Sequence, residues 1–464
     1  MKHIFSFLLV TFCTISFAQV ISPNNPYTKD FVELKVPAKG SQPQTQTQSS
    51  KSVKLDEITQ AFDAFWEGKD YRQKGSGYKP FKRWAENWSD YLQPDGTIAP
   101  ASVLWGAWRQ KTQNESKIST QNVPTANWTN LGPAVVTNSS VSISGQGRVN
   151  AIAKDPSNPN TIYVGAPAGG IWRSTDDGVN WTPLSDYLPQ IGVSGIAIDP
   201  NNPNIIYIST GDDDFGDSYS IGVLKTLDGG QTWNNTGLQF NNLSQGSSEI
   251  FIDPTDSNTV WVATLQGLYK TTDGGDNWLN IVPGNIVDFR FQPGNSNTLF
   301  VVGYDSSGNS KFYKITDGGN TVTEISTIPN NSNRIILEVT PANPNIVYVL
   351  SAYDNGNGSW QGRNSFQGVY KSRDAGDTFS RTAENDDIFG SSQSWYDMAL
   401  TVSDTDPNIV FVGVLNIWKS ENGGDDFFQI NSWFERNDAF THADIHFMRY
   451  FDGVLYAGTD GGIY

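Results

Sequence analysis

Ser174-Thr175-Asp176-Asp177-Gly178-Val179-Asn180-Trp181 decides the architecture, because the same phrase returns along the chain. It recurs as Thr226-Leu227-Asp228-Gly229-Gly230-Gln231-Thr232-Trp233, as Thr271-Thr272-Asp273-Gly274-Gly275-Asp276-Asn277-Trp278 and as Ser372-Arg373-Asp374-Ala375-Gly376-Asp377-Thr378-Phe379. Two weaker copies continue the series: Ile315 to Val322 keeps Asp317 and Gly319, and Ser420 to Phe427 carries Asn422 in place of the aspartate. Successive Asp or Asn positions lie 52, 45, 44, 57 and 48 residues apart, a period that marks repeated structural units. In a tight hairpin the aspartate accepts hydrogen bonds from N–H groups of its own turn, the glycine permits positive φ and the aromatic ring wedges between sheets. Asp176, Asp228, Asp273, Asp317 and Asp374 are therefore read as structural.

A second element precedes each copy. Asp155-Pro156-Ser157-Asn158-Pro159 and Asp199-Pro200-Asn201-Asn202-Pro203 are the clearest, each followed by an alternating apolar stretch, and equivalents start at Asp253, Pro293, Pro341 and Asp406, with a shorter seventh form at Phe451 to Ala457. The Pro/Asn cluster makes a turn and the apolar stretch a strand. Four short antiparallel strands per roughly 45 residues form the blade of a β-propeller, so the fold class is all-β with a repeat domain over 127–464. Asn127-Trp128-Thr129-Asn130-Leu131 matches the outer strand Asn180 to Leu184 and serves as a spare strand that closes the ring on a seventh blade. The last unit stops within its third strand at Tyr464, which predicts a chain that continues past this point, with a ten-bladed ring as the wider alternative.

These phrases resemble the Asp-box, or BNR-repeat, propellers of the sortilin-like and sialidase-like superfamily. Gly147-Arg148-Val149-Asn150, Gly165 to Gly170 with Ile171 to Ser174, and Tyr219 to Thr226 resemble exported propellers of Bacteroidota, as does Gly75 to Trp84. The resemblance implies the fold strongly and activity weakly, since the superfamily holds glycosidases, receptors and surface proteins. It also implies that the Asp boxes lie on outer turns away from any site. Sialidase activity is disfavoured: no Arg-Ile-Pro element occurs, although Arg148, Arg290 and Arg449 remain candidates for an inward arginine set. Thr459-Asp460-Gly461-Gly462 loosely resembles the Thr-Asp-x-Gly-Gly phrase of xyloglucan hydrolases but lacks the intervening residue.

Outside the repeat, Lys2 and His3 precede an apolar stretch from Ile4 to Ile15, and Ser16-Phe17-Ala18 places small residues before Gln19. This reads as a signal peptide over 1–18 and a secreted or cell-surface protein. The single cysteine, Cys13, lies inside it, which excludes thiol chemistry and disulfides from the mature chain. Residues 19–52 are too polar to bury a core and read as a tether. Leu55, Ile58, Phe62, Phe65 and Trp66, then Phe81, Trp84 and Trp88, recur at helical spacing, and a third helix starts after Pro100, giving an aromatic-rich helical segment over 53–110 and a linker over 111–126. That segment is expected to brace the propeller.

With 44 Gly, 23 Pro and 58 aromatic residues (15 Trp, 18 Tyr and 25 Phe) against only 17% charged residues, the composition opposes a helical bundle. A net charge of −17 repels phosphate backbones, so nucleic acid is excluded as a partner, and no stretch is long enough to cross a bilayer. Aligning the units places Asn150, Ser194, Asp288, Asp397 and Asp444 near one level of the innermost strands. Asp444, Asp397 and Asp288 are the candidate catalytic carboxyls, since two such groups can act as acid and base or nucleophile on a glycoside. In Thr441-His442-Ala443-Asp444-Ile445-His446, a strand would set both imidazoles and the carboxylate on one face. His442 and His446, with Arg148, Asn150, Trp360 and Trp395, are candidate ligand contacts, and Phe366 joins the aromatics of the loops 211–219, 353–366 and 384–395. Asp212, Asp214 and Asp217 offer hard oxygen ligands for Ca²⁺; no cofactor is otherwise required. The expected protein is a monomeric propeller that binds a glycan or an extracellular protein or peptide at its top face, with glycoside hydrolysis as the alternative.

Overall fold

Runs such as Ile206-Tyr207-Ile208-Ser209-Thr210 and Thr259 to Thr264 are buried at every position. An alternating strand buries one face; a strand buried on both lies between two layers. The computed structural model shows those layers to be neighbouring blades. It describes residues 54–68, 70–72, 78–90, 92–98, 101–115 and 147–464, the last span except 190, 215–217, 219, 241–245, 354–363 and 436–438. The expected signal peptide, tether, linker beyond residue 115 and spare strand 127–131 all lie outside the described residues.

Seven antiparallel sheets follow in chain order. They comprise β1 (Ala151–Lys154) to β4 (Thr182–Pro183), β5 (Val193–Ile198) to β8 (Asn234–Gln239), β9 (Ser247–Asp253) to β12 (Leu279–Pro283), and β13 (Asn285–Gln292) to β16 (Thr321–Glu324). The rest are β17 (Arg334–Val339) to β20 (Ser380–Arg381), β21 (Ala399–Val402) to β24 (Phe428–Gln429), and β25 (Ile445–Phe451) to β27 (Gly462–Ile463). Each is a simple meander, with six sheets of four strands and a last one of three among the described residues.

The ring closes at seven. Val149 N–H, entering the first blade, donates to Thr459 O of the seventh at 3.0 Å. A Cβ at Gly458 would stand 2.5 Å from Val149 O, so only glycine permits this approach. Val149, Ile152, Ile162 and Val164 pack with Phe447, Phe451 and Tyr456 across the seam. Tyr464 exchanges backbone hydrogen bonds with Ala457 at 2.8 and 2.9 Å, carrying the pairing beyond β27.

The cores lie between blades. Phe300, Val302 and Phe312 of the fourth blade meet Ile335, Leu337, Val347 and Val349 of the fifth, with Phe379 closing the group. Burying a side chain of this kind stabilises by roughly 1.5–3 kcal/mol. Each Asp turn is built as its sequence demands: Asp176 Oδ1 accepts from Ser174 Oγ and Asn180 N–H, both at 2.8 Å, and Ser174 Oγ accepts from Gly178 N–H at 2.8 Å. The same set recurs around Asp228, Asp273, Asp374 and Asn422. Trp233 wedges inward and its indole N–H donates to Leu184 O of the preceding blade at 3.0 Å.

Among the described residues three helices precede the ring: α1 (Leu55–Trp66), α2 (Tyr78–Ser89) and α3 (Ala101–Glu115), the last running five residues into the stretch read as linker. Phe62 stacks on Phe81 at 3.7 Å between α1 and α2. From α3, Trp105 is buried among Tyr163, Leu184, Leu188, Ile191 and Trp233, and Trp108 Nε1 donates to Tyr187 O at 2.7 Å. The helix therefore braces the groove between the first two blades. No helix among the described residues is long and apolar enough to cross a membrane.

Candidate functional site

In a four-stranded meander the innermost strand starts at one end of the ring, and the second-to-third-strand turn and the link between blades return to that same end. Asp turns, which join third and fourth strands, occupy the opposite end. The candidate residues gather at the first of these, the mouth. Arg148 and Asn150 precede β1, Asp212 to Asp214 follow β6 (Ile206–Thr210), Gln393 to Asp397 precede β21, Asp444 precedes β25 and Asp460 follows β26 (Val454–Thr459).

Irregular pairing aims some of these side chains. Register shifts fall at the start of the inner strands of the second, third, fourth and seventh blades; in the seventh, His446 is the extra residue between the Ile445–Thr459 and Phe447–Gly458 pairs. Bulges of this kind re-aim a side chain and recur beside functional sites. The channel wall at this level is formed by Asn150, Ser194, Ser248, Val287, Met398 and His446. Its free space, about 70 Å³, holds a few waters, at roughly 10–15 Å³ of such space for each. A saccharide must therefore engage the rim above it.

An ionic hub crosses the channel. Arg148 Nη2 pairs with Asp212 Oδ2 at 2.5 Å, and Asn150 Nδ2 donates to Asp212 Oδ1 at 3.0 Å. Arg334, at the start of β17, reaches Asp214 Oδ1 at 2.7 Å and donates to Trp395 O at 2.8 Å. His446 Nδ1 meets Asp214 Oδ2 at 2.8 Å and its Nε2 meets Asp460 Oδ1 at 3.0 Å, while Tyr396 OH donates to Asp460 Oδ1 at 2.8 Å. Burial alone would lower the His446 imidazolium, but its hydrogen bonds to Asp214 and Asp460 carry it up to about 9, so it is a cation at neutral pH. Burial pushes Asp214 the other way, yet Arg334 and His446 hold it below the usual carboxylate range. Asp460 is likewise lowered: its hydrogen bond to His446 overrides its burial.

Beside the hub stands a carboxyl pair. Gln393 Nε2 donates to Asp397 Oδ2 at 3.0 Å and to Asp444 Oδ1 at 2.5 Å. The side chain of Asp397 is fully buried, and burial followed by the Asp444 charge raises it well above its ordinary value. Asp444, at φ 64°, is raised by burial and then by Asp460. Two neighbouring carboxyls with raised values hold a proton at pH where ordinary aspartates do not.

Asp288 does not join them. It lies deeper on β13, paired with Arg290 and accepting Leu337 N–H at 2.9 Å; burial, against the opposing Arg290, carries it up to about 7. Arg290 also meets Glu338 at 3.1 Å and Glu249 at 3.5 Å. Arg449 approaches Glu249 at 3.9 Å, so Arg290 and Arg449 share a carboxylate while Arg148 belongs to the mouth. The three do not form one arginine set.

Several expectations are corrected. His442, Asp444 and His446 do not share a strand face, because β25 begins only at Ile445 and the positive φ of Asp444 breaks the alternation. His442 Nδ1 lies 3.1 Å from Ala443 O and its ring covers Gly461. Asp212 and Asp214 are engaged by Arg148, Arg334 and His446. Asp217, the third residue of the candidate Ca²⁺ set, lies outside the described residues, as does Trp360. Phe366 is core, 5.3 Å from Phe389. Trp395 is half-buried beside Tyr396, at 5.4 Å. Sequence reasoning missed Gln393, Tyr396 and Arg334, although Arg334 opens an inner strand at the same level as the residues it did find.

No family profile matches the whole chain or any part of it. The chain is 26% identical over 342 residues to a xyloglucanase of Acetivibrio thermocellus, covering 64% of this chain and 34% of that protein. It is 25% identical over 218 residues to a xyloglucanase of Hypocrea jecorina, covering 39% of this chain and 26% of that one. The chain thus spans about a third of the first relative's length. Among solved structures it resembles a GH74 enzyme of Niastella koreensis, with a TM-score of 0.51 and 23% identity over 69% of this chain and 52% of that one. It also resembles a GH74 xyloglucanase of Xanthomonas campestris, with a TM-score of 0.52 and 17% identity over the same shares. At these identities the two structures speak for the propeller fold alone.

Proposed function

We propose that this protein is an exported propeller that binds a glycan at the mouth of its channel. The observation that carries the reading is the convergence, at the one end free of Asp turns, of Asp444, Asp397, Gln393, Asp460 and Tyr396. Such a group offers the acceptors and donors that sugar hydroxyls require, with the half-buried Trp395 and Tyr396 supplying apolar faces. Relatives named as xyloglucanases make neutral β-glucans the first class to try.

Glycoside hydrolysis is the second reading, favoured by the Asp397–Asp444 pair. Their oxygens lie 3.0 and 2.5 Å from one amide nitrogen and so stand no more than 5.5 Å apart. That is closer than the ~6.5–9.5 Å of inverting enzymes, and the two carboxyls lie within hydrogen-bonding reach of one another. Asp397, held protonated, suits the acid, and the less buried Asp444 the nucleophile. A glycan array read beside xyloglucan turnover tests both readings. Saturable binding without turnover supports the first, turnover abolished by Asp444→Asn supports the second, and neither signal on any glycan contradicts both.

A further inference from the structure

Two links between blades meet at the mouth through their acids. Asp397 lies near the end of the link from β20 to β21, and Asp444 ends the link from β24 to β25. The Asp444 carboxyl is within hydrogen-bonding reach of Asp397 on one side and of Asp460, in the turn after β26, on the other. Gln393 lies beside the pair, and its amide donates to both Asp397 and Asp444. Asp460 in turn meets His446 Nε2 at 3.0 Å and Tyr396 OH at 2.8 Å, and its backbone N–H donates to Asp444 O at 3.3 Å. Asp397, Asp444 and Asp460 thus stand in a row that joins the two links to a turn of the seventh blade.

Ionised carboxylates only accept, so two of them bond to one another only where one holds a proton. The geometry shows where a donor is missing. The Asp397 side chain is fully buried, its Oδ2 accepts from Gln393, and its buried Oδ1 has no hydrogen-bond donor among the described residues. An ionised oxygen in that position is costly. A proton on Asp397 makes it the donor to Asp444, and a proton on Asp444 makes that residue the donor to Asp460, which is the ionised end facing the His446 imidazolium. The charged groups that face the row are His446 of β25 and Arg334 of β17, which favour ionisation, and Asp460, which opposes it. Both cations are spent elsewhere, Arg334 on Asp214 and His446 on Asp214 and Asp460, and burial of Asp397 and Asp444 outweighs them.

We propose that Asp397, Asp444 and Asp460 form a clasp held shut by shared protons, which ties the two links together at the mouth and releases them as pH rises. The clasp goes beyond the glycan reading, since it belongs to the fold and its test needs no ligand. Once the protons leave, neighbouring carboxylates repel one another and the Gln393 amide is the one donor between Asp397 and Asp444 among the described residues. Asp397 and Asp444 are raised in the fold. Their contribution is therefore fully present below about pH 4, near the ordinary aspartate value, and is lost as pH rises through the folded values.

The test is hydrogen exchange of the full chain, read by mass spectrometry over residues 390–397 and 440–446, beside infrared spectra of the protonated-carboxyl stretch, from about pH 5 to about pH 8. That range stays below the His446 value of about 9, so the imidazolium keeps its partners throughout. Asp213 and Asp288 are raised as well, so the clasp's share of the infrared band is the part that Asp397→Asn removes. In wild type that share is expected at the acid end and lost at the other, while exchange in both segments, corrected for the intrinsic rate, speeds about ten-fold or more. Asp397→Asn puts a permanent donor of the same shape in place of the acid and should keep both segments slow across the range; Asp444→Asn should do the same from the other side. Circular dichroism reports that each variant folds, and if neither does, the exchange of the two segments in wild type decides. Exchange that does not change over the range would overturn the clasp. So would an infrared band that a folded Asp397→Asn leaves whole, or folded variants that loosen with pH as wild type does.

Discussion

At the scale of the residue, His446 shows how neighbours outweigh burial. Its folded value of about 9 stands above the ordinary value near 6.5. A raised folded value gives stability that is fully present below pH about 6.5 and is lost as pH rises through about 9. The shift corresponds to roughly 3 kcal/mol at about 1.36 kcal/mol for each unit. Denaturant unfolding of wild type and His446→Gln across pH 6 to 10 should show a difference that shrinks steeply over this window. A pH-independent difference would mean that the imidazole is neutral in the fold. His446 stands out in the sequence through a strand pattern that the structure corrects, and it lines the channel through the bulge at Ile445–Phe447 instead. Its partners were not legible, because Asp214 lies 232 positions away and only ring closure brings them together.

At the scale of the element, the Asp turns were legible almost completely. Their hydrogen bonds run within eight residues, so local sequence specifies them, and the sixth copy keeps the geometry with Asn422 because an amide oxygen accepts the same Ser420 and Asp426 donors. The His442-to-His446 strand was misread for the opposite reason: one aspartate at positive φ ends the alternation, and nothing in a period-2 pattern announces it. Glycine serves two purposes that substitution separates, one at the Asp turn of the fifth blade and one at the first-to-second-strand turn of the fourth. Gly376 has φ 80°, and a Cβ there would stand 2.8 Å from Phe300 Cε1 in the core between the fourth and fifth blades. Gly294 has φ 78° with nothing within 4 Å. Gly294→Ala should cost only the conformational term, about 1 kcal/mol, and Gly376→Ala about 1–3 kcal/mol more through displaced packing. Equal losses in urea unfolding would contradict the packing role of the turn.

At the scale of the whole molecule, the repeat period and the Pro/Asn turns were enough to give the propeller and its seven units. They did not give the level at which the inner strands present their side chains. A register shift moves His446 onto the channel wall, while Asp397 and Asp444 precede their strands at the rim and Asp288 lies deeper, within β13, where alignment had put the three together. The result is a molecule with two unlike ends: one built from self-satisfied Asp turns, the other gathering carboxyls from several blades. The central claim is that function belongs to the second end. Glycan binding by wild type, Asp444→Asn and Asp273→Asn, each measured by titration with whichever glycan the array returns, tests this most directly. Asn422 shows that an Asp turn tolerates the amide, so Asp273→Asn should bind as wild type does while Asp444→Asn loses about ten-fold or more in affinity. Loss on Asp273→Asn with Asp444→Asn unaffected would place the site at the opposite end of the ring and contradict the account.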